Sequence, residues 1–163
     1  FSDNVKKINF DFYNMDNFYI RGHQPDNLSR QEKGGAVVSD CQLVIHKPVG
    51  LGATTRTAHI DSFKELYAGL LYMKPRNDKS SGGDLELYSS KHKKARFIKN
   101  SHREVDLSTV SKTKIIPYSR NTFAMFLNAP NAVHSVSPRV DAEKNRFSVN
   151  IIAERLKSKF FTI

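Results

Sequence analysis

Thr57-Ala-His-Ile-Asp-Ser-Phe63, TAHIDSF, sets a histidine and an aspartate two positions apart in a run that otherwise reads as β-strand. Successive strand side chains point to opposite faces, so His59 and Asp61 share a face and offer an imidazole and a carboxylate to one point. Two ligands leave a metal site one short, and the third must come from a different strand. His134, in NAVHSVSPR, is the candidate, because Val133 and Ser135 then point to the face opposite His134.

Around this stretch the pattern is mostly strands. Candidates are Cys41 to Lys47, Ala58 to Asp61, Leu66 to Met73, Asp84 to Tyr88, Lys114 to Ile116, Thr122 to Leu127, Val133 to Val136 and Phe147 to Ala153. All are short and rich in β-branched, aromatic or leucine residues. NDKSSGGD after Met73 suits a hairpin connection, YSRN precedes one strand and NAPNA follows it. Helical periodicity is weak, with one segment around Asn27 to Lys33 and another near Glu154 to Lys159. TFAMFL, residues 122–127, is apolar on both alternating faces and predicts a strand covered on both sides. Short strands at this spacing predict an all-β sandwich, a double-sheet jelly roll or an immunoglobulin-like one. Periodicity leaves these two open; a three-ligand metal site favours the jelly roll.

The 163 residues suit one domain, 1–163, able to bury roughly 70% of its unfolded surface without disulfides. Because the chain opens at Phe1 and not at Met, a further N-terminal segment is expected. The single cysteine, Cys41, lies in the apolar run CQLVIHK and predicts a buried thiol in a reducing compartment. No apolar stretch approaches the roughly 20 residues of a membrane span, so a cytoplasmic protein without membrane contact is expected. The net charge of +10 raises the question of nucleic acid. Its densest run, Lys91 to Arg103 (KHKKARFIKNSHR), lacks the interleaved aromatics that stack on bases, so nucleic acid is not the expected partner. That run reads as a solvated loop or as a gate for an anionic substrate.

Two histidines and one carboxylate on one side of an ion, with open positions opposite, make the facial triad of non-haem Fe(II) oxygenases. In order along the chain stand HID at 59–61, LLYMK at 70–74, GGDLELY at 82–88, NTFAMF at 121–126, HSVSP at 134–138 and RFSVNI at 146–151. This series resembles the iron- and 2-oxoglutarate-dependent dioxygenases, within the branch that includes prolyl hydroxylases. The resemblance spans roughly residues 45 to 153 and implies a double-stranded β-helix, or jelly roll, all-β with a few flanking helices and a core at about 40–153.

Carried over residue by residue, the resemblance assigns His59, Asp61 and His134 as iron ligands and Arg146 as the grip on the far carboxylate of 2-oxoglutarate. Ser148 would add a hydroxyl on Arg146's face, and Tyr72 would donate its phenol to the same carboxylate. Arg146 follows His134 by twelve positions, somewhat more than is usual in the family, so VDAEKN must bulge before the strand resumes. The branch tends to carry a tyrosine about ten residues before the first iron histidine, where this chain has Val49. Arg56 and Thr57 are placed to reach the pocket in its stead. His23, His46, His92 and His102 match no motif and read as structural or exposed.

The implied cofactors are Fe(II), 2-oxoglutarate and O2, with ascorbate as an accessory reductant, and the implied reaction is hydroxylation with release of succinate and CO2. Because Asp61 is present, no ligand position is vacated for a halide. The stretch Ser89 to Arg120 is longer than a hairpin needs and borders the active-site mouth in related proteins. Its basic run fits an anionic substrate. Narrower or competing readings are a peptidyl prolyl hydroxylase, a non-redox cupin-like metalloprotein, and a metal-free β-sandwich binding module.

Overall fold

The computed structural model describes residues 18–21, 37–49, 56–91, 97–98, 103–155 and 159–160. Among these residues there are ten strands: β1 Phe18–Ile20, β2 Val37–His46, β3 Glu65–Tyr72, β4 Ser81–Gly82, β5 Leu85–Ser90, β6 Val110–Ile116, β7 Thr122–Leu127, β8 His134–Val136, β9 Arg139–Val140 and β10 Arg146–Arg155. They form a five-stranded sheet in the order β1-β2-β10-β3-β7, a three-stranded sheet β6-β5-β8 and a small ribbon β4-β9. All pairings are antiparallel except β1 with β2. The two larger sheets pack as a jelly-roll sandwich that does not close into a barrel, the all-β fold expected.

Alternation places the core. Tyr72 of β3, Leu85 of β5, Ala124 of β7 and Tyr118 from the connection before β7 are buried together, joining one sheet to the other. Along β10 the residues Arg146, Ser148, Asn150 and Ile152 share a face, and all four line the cavity between the sheets.

Several expectations change. Ala58 to Asp61 is not a full strand: only His59 pairs, bridging His134 on one side and Glu104 on the other. Ile98 and Val105 continue this edge, with Val105 N–H donating to Ala58 O at 2.8 Å and Ile98 N–H to Glu104 O at 2.9 Å. Ala58, Ile60, Val105, Val110 and Val133 form a buried cluster behind His59, so part of the long insertion is a structural backing for the segment that carries His59 and Asp61. NDKSSGGD is no hairpin, since β3 and β5 belong to different sheets; it crosses between them and carries β4. VDAEKN holds the end of β9 and a turn with Asp141 at φ 54°, which accommodates the long interval before Arg146.

TFAMFL is covered on one face only: Ala124 is buried, whereas Phe123 and Met125 are 52% and 55% exposed. β7 is an edge strand, and its outer face has no second layer among the described residues. Cys41 is exposed for the same reason, lying opposite Ile151 on that outer face. The segment from Glu154 begins as strand, since β10 runs to Arg155, and residues 156–158 lie outside the described set. Asn27 to Lys33 lies outside it too, as do most of Lys91 to Arg103, His23, His92 and His102. No helix among the described residues is long and apolar enough to cross a membrane.

Candidate metal centre and carboxylate pocket

The cavity between the sheets has a volume of about 230 Å³. On its smaller-sheet wall, His59 and His134 face each other across one antiparallel pair and exchange both backbone hydrogen bonds, each at 2.9 Å. Such a pair directs both side chains to the same side. Their rings lie 4.3 Å apart, and Phe126 packs 4.7 Å from the His134 ring. Asp61 reaches between them, with Oδ1 3.5 Å from His59 Nε2 and Oδ2 3.5 Å from His134 Nε2. The three ligand atoms lie within 4.8 Å of one another.

Each imidazole is oriented from behind. His59 Nδ1 lies 2.7 Å from Thr57 O and His134 Nδ1 lies 3.0 Å from Ala132 O. A carbonyl only accepts, so each Nδ1 carries the proton and each Nε2 turns a lone pair inward. Burial pushes His59 below the usual imidazole range against the opposing Asp61 contact, which favours the neutral form that ligates metals. Burial would raise the Asp61 carboxyl; its contacts with His134 and His59 override that and hold it well below the usual carboxylate range. The Asp61 contacts draw on protons at Nε2; with both rings in the neutral form, two lone pairs and a carboxylate converge instead, an arrangement that a cation resolves. The backbone after Asp61 is pinned by Asn128, whose Nδ2 donates to Ser62 O at 2.7 Å and to Glu65 O at 3.2 Å.

At one end of the cavity Arg146, 4% exposed, donates from Nε to Gly83 O at 3.1 Å. Its guanidinium lies 4.8 Å over the Tyr72 ring and 5.0 Å over the Tyr118 ring. Tyr72 is fully buried and its hydroxyl has no hydrogen-bond partner. Burial raises that phenol's pKa despite the nearby guanidinium. A cationic fork beside an orphaned hydroxyl, both desolvated, is a donor set that lacks an acceptor, and a carboxylate supplies one. Ser148 stands opposite Tyr72 in register, but its Oγ–H is donated to Asn150 Oδ1 at 2.9 Å, so it faces the pocket as an acceptor. The set of residues fits both a divalent metal at the histidines and a diacid at Arg146.

The structure therefore brings His59, Asp61, His134, Arg146 and Ser148 onto one cavity, with Tyr72 behind Arg146. Arg56 lines the cavity, as expected; the exposed Thr57 contributes its carbonyl to His59. His46 lines the cavity against expectation, because β2 sets it opposite Arg146; burial first, then the guanidinium, lowers its pKa. Tyr118 and Glu65 were not marked by any motif. Tyr118 is fixed by its hydroxyl, which accepts from Phe147 N–H at 2.9 Å. Glu65 lines the cavity near Asp61, and burial together with Asp61 and Glu154 pushes its carboxyl up to about 7.

A family model described as the 2OG-Fe(II) oxygenase superfamily matches residues 41–153, more than half of the chain. The protein belongs to the 2OG-Fe(II) oxygenase superfamily. Membership makes it an oxygenase that uses Fe(II), 2-oxoglutarate and O2. A search of the curated proteins returned no match.

Proposed function

We propose that the protein is a 2-oxoglutarate-dependent hydroxylase in which His59, Asp61 and His134 hold Fe(II) and Arg146 holds the far carboxylate of 2-oxoglutarate. The observation that carries this reading is the convergence of two Nε2 lone pairs and the Asp61 carboxylate in one cavity with the desolvated Arg146 guanidinium. When bound, iron and 2-oxoglutarate together supply oxidative decarboxylation to succinate and CO2, with one oxygen atom delivered to a substrate C–H.

The chain's own residues do the positioning. Thr57 and Ala132 carbonyls hold the imidazole tautomers. Tyr118 and Tyr72 fix the guanidinium plane, and the Tyr72 phenol is available to donate to the same carboxylate. Phe126, Leu85 and Leu70 make the apolar walls that keep water from the reacting centre. With Asp61 retained as a ligand, the ligand set favours hydroxylation over halogenation. The narrower reading, a prolyl-hydroxylase-like member, is supported by the pairing of Tyr72 with Arg146 and by nothing else in the cavity.

Purified protein given Fe(II) and 2-oxoglutarate is expected to release succinate, stimulated by the correct member of a panel of peptides, amino acids and sugars. Prolyl peptides in that panel test the narrower reading, and added ascorbate tests the accessory reductant. Absence of metal-dependent 2-oxoglutarate binding would overturn the assignment.

A further inference from the structure

We propose that Glu65 selects the substrate, and that the substrate carries a cationic nitrogen, an ammonium or guanidinium, which pairs with the Glu65 carboxylate. The proposal rests on the dioxygenase reading above and adds to it the class of molecule that is oxidised.

The first observation is where Glu65 lies. β3 runs from Glu65 to Tyr72, so at about 3.3 Å per residue the two are roughly 23 Å apart along the strand. Tyr72 backs Arg146 at one end of the cavity; Glu65 lines it toward the other, beside Ile152 and Asp61. A five-carbon diacid gripped by Arg146 and reaching the histidines leaves the Glu65 end free for a second molecule.

The second observation is how Glu65 comes to face inward. Ala68, Leu70 and Tyr72 alternate toward the core, and unbroken alternation would turn Leu66 in and Glu65 out. The register shifts instead: Ala153 pairs with Tyr67, and the next residue, Glu154, pairs with Glu65, leaving Leu66 unmatched. Leu66 is 2% exposed and packs with Val37, Ala153 and Phe160 away from the cavity. This bulge gives up regular pairing and re-aims one side chain, as bulges beside active sites do. The side chain re-aimed is a carboxylate.

The third observation is that Glu65 has no cationic partner. Its carboxylate is approached by the Ser62 backbone N–H, but no ion pair joins it to a described residue, unlike Asp78 and Glu86. Burial first, then Asp61 and Glu154, act to keep it uncharged, and the opposing pulls of the Ser62 backbone N–H and of Arg103 are weaker. A half-buried carboxylate beside two others repels an anionic ligand and is relieved by a cation, which would form a charge-assisted hydrogen bond there.

The test uses protein loaded with redox-inert Mn(II) and 2-oxoglutarate, titrated by calorimetry with three probes. These are Nα-acetyl-lysine N-methylamide, its neutral analogue Nα-acetyl-norleucine N-methylamide, and Nα-acetyl-glutamate N-methylamide. Wild type is expected to bind the lysine probe about tenfold more tightly than the norleucine probe, the gain of one charge-assisted hydrogen bond. Glu65→Gln is expected to erase most of that preference, and Glu65→Arg to turn it toward the glutamate probe. Equal binding of the lysine and norleucine probes by wild type, a wild-type preference for the glutamate probe, or a lysine preference untouched in Glu65→Gln would overturn the proposal. Glu65→Gln is nearly isosteric and carries the test by itself if Glu65→Arg does not fold. Mn(II) and 2-oxoglutarate are titrated first in the same samples: if wild type binds neither, the dioxygenase reading fails; if it binds both without discriminating the probes, only the Glu65 assignment fails.

Discussion

His59 and His134 are direct cross-strand neighbours, each donating its backbone N–H to the other's carbonyl at 2.9 Å. The sandwich itself, not a loop, thus sets the spacing between the two imidazoles, and Asp61 completes the triad from the turn that follows His59. A site on paired backbone is formed before any ion arrives. Asp61→Ala is therefore expected to fold with wild-type secondary structure but to lose the rise in melting temperature on adding Mn(II). For wild type, metal at a hundredfold over its Kd stabilises by about 2.7 kcal/mol. An equal metal-induced shift in the variant would exclude Asp61 as a ligand.

Tyr72→Phe should move two measurements in opposite directions. In the ligand-free protein the Tyr72 hydroxyl is buried without a partner, and deleting it removes a desolvation cost of about 1 kcal/mol or more. With 2-oxoglutarate present the same deletion removes a donor to a carboxylate, and affinity should fall about tenfold. Differential scanning calorimetry with and without 2-oxoglutarate reads both. A destabilised ligand-free variant would show that the hydroxyl has a structural partner.

On the proposed reading, Tyr118 would act on the same carboxylate through Arg146. Its ring lies under the guanidinium and its hydroxyl accepts from the Phe147 amide, so it fixes both the plane of the fork and the backbone beside it. Tyr118→Leu removes the aromatic face, and the KM for 2-oxoglutarate is expected to rise about tenfold with a smaller change in kcat. Tyr118→Phe keeps the stacking and should recover most of that loss. If both variants lower kcat alone, Tyr118 is not a positioning residue for the cosubstrate.

The convergence of His59, Asp61 and His134 was legible because a period of two and a His-x-Asp spacing survive without coordinates: it needs only local alternation and one long-range pairing. That Arg146 and Ser148 lie on the same cavity, with Tyr72 behind Arg146, followed from the order of motifs. His46, Glu65 and Tyr118 were not legible, because each reaches the site through register or a bulge. His46 is set by its pairing with Arg146, Glu65 by the slip at Leu66, and Tyr118 by a bond to a main-chain amide. Cys41 and the outer face of TFAMFL misled for a related reason. Apolar composition says that a strand is suited to burial, and it does not say whether a second layer lies over both faces.

Glu65 gives the pH dependence its sign. Its folded carboxyl is pushed up to about 7 from an ordinary 4.5, so between these values the unfolded chain releases a proton that the folded protein retains. Stability contributed by this group is therefore lost as pH rises from about 4.5 to about 7 and stays lost above. Asp61 has the opposite shift, and its contribution is lost only in acid, below that window. In EDTA-treated protein, the advantage of Glu65→Gln over wild type in urea titrations should be small at pH 4.5 and largest at pH 8. A difference independent of pH would mean that Glu65 ionises normally in the fold.

Gly83 joins the backbone conformation to the aim of Arg146, the residue proposed to hold the cosubstrate. It sits at φ 75°, a conformation that glycine adopts freely and other residues rarely do. A Cβ there would lie 2.9 Å from Arg139 Cγ and 3.5 Å from Arg146 Cδ. Its carbonyl is also the acceptor for Arg146 Nε. Gly83→Ala is thus expected to cost about 1–2 kcal/mol from the left-handed backbone alone. It should also displace the Arg146 fork, because Arg139 is held by Asp78 and Ser80 and cannot swing away cheaply. The expected pattern is a lowered melting temperature together with weaker 2-oxoglutarate binding, while Mn(II) affinity stays within about twofold of wild type, since the side chains a Cβ would meet are Arg139 and Arg146 and not the histidines. Loss of metal and 2-oxoglutarate binding in equal measure would instead indicate general unfolding, and would remove Gly83 from the account of how Arg146 is aimed.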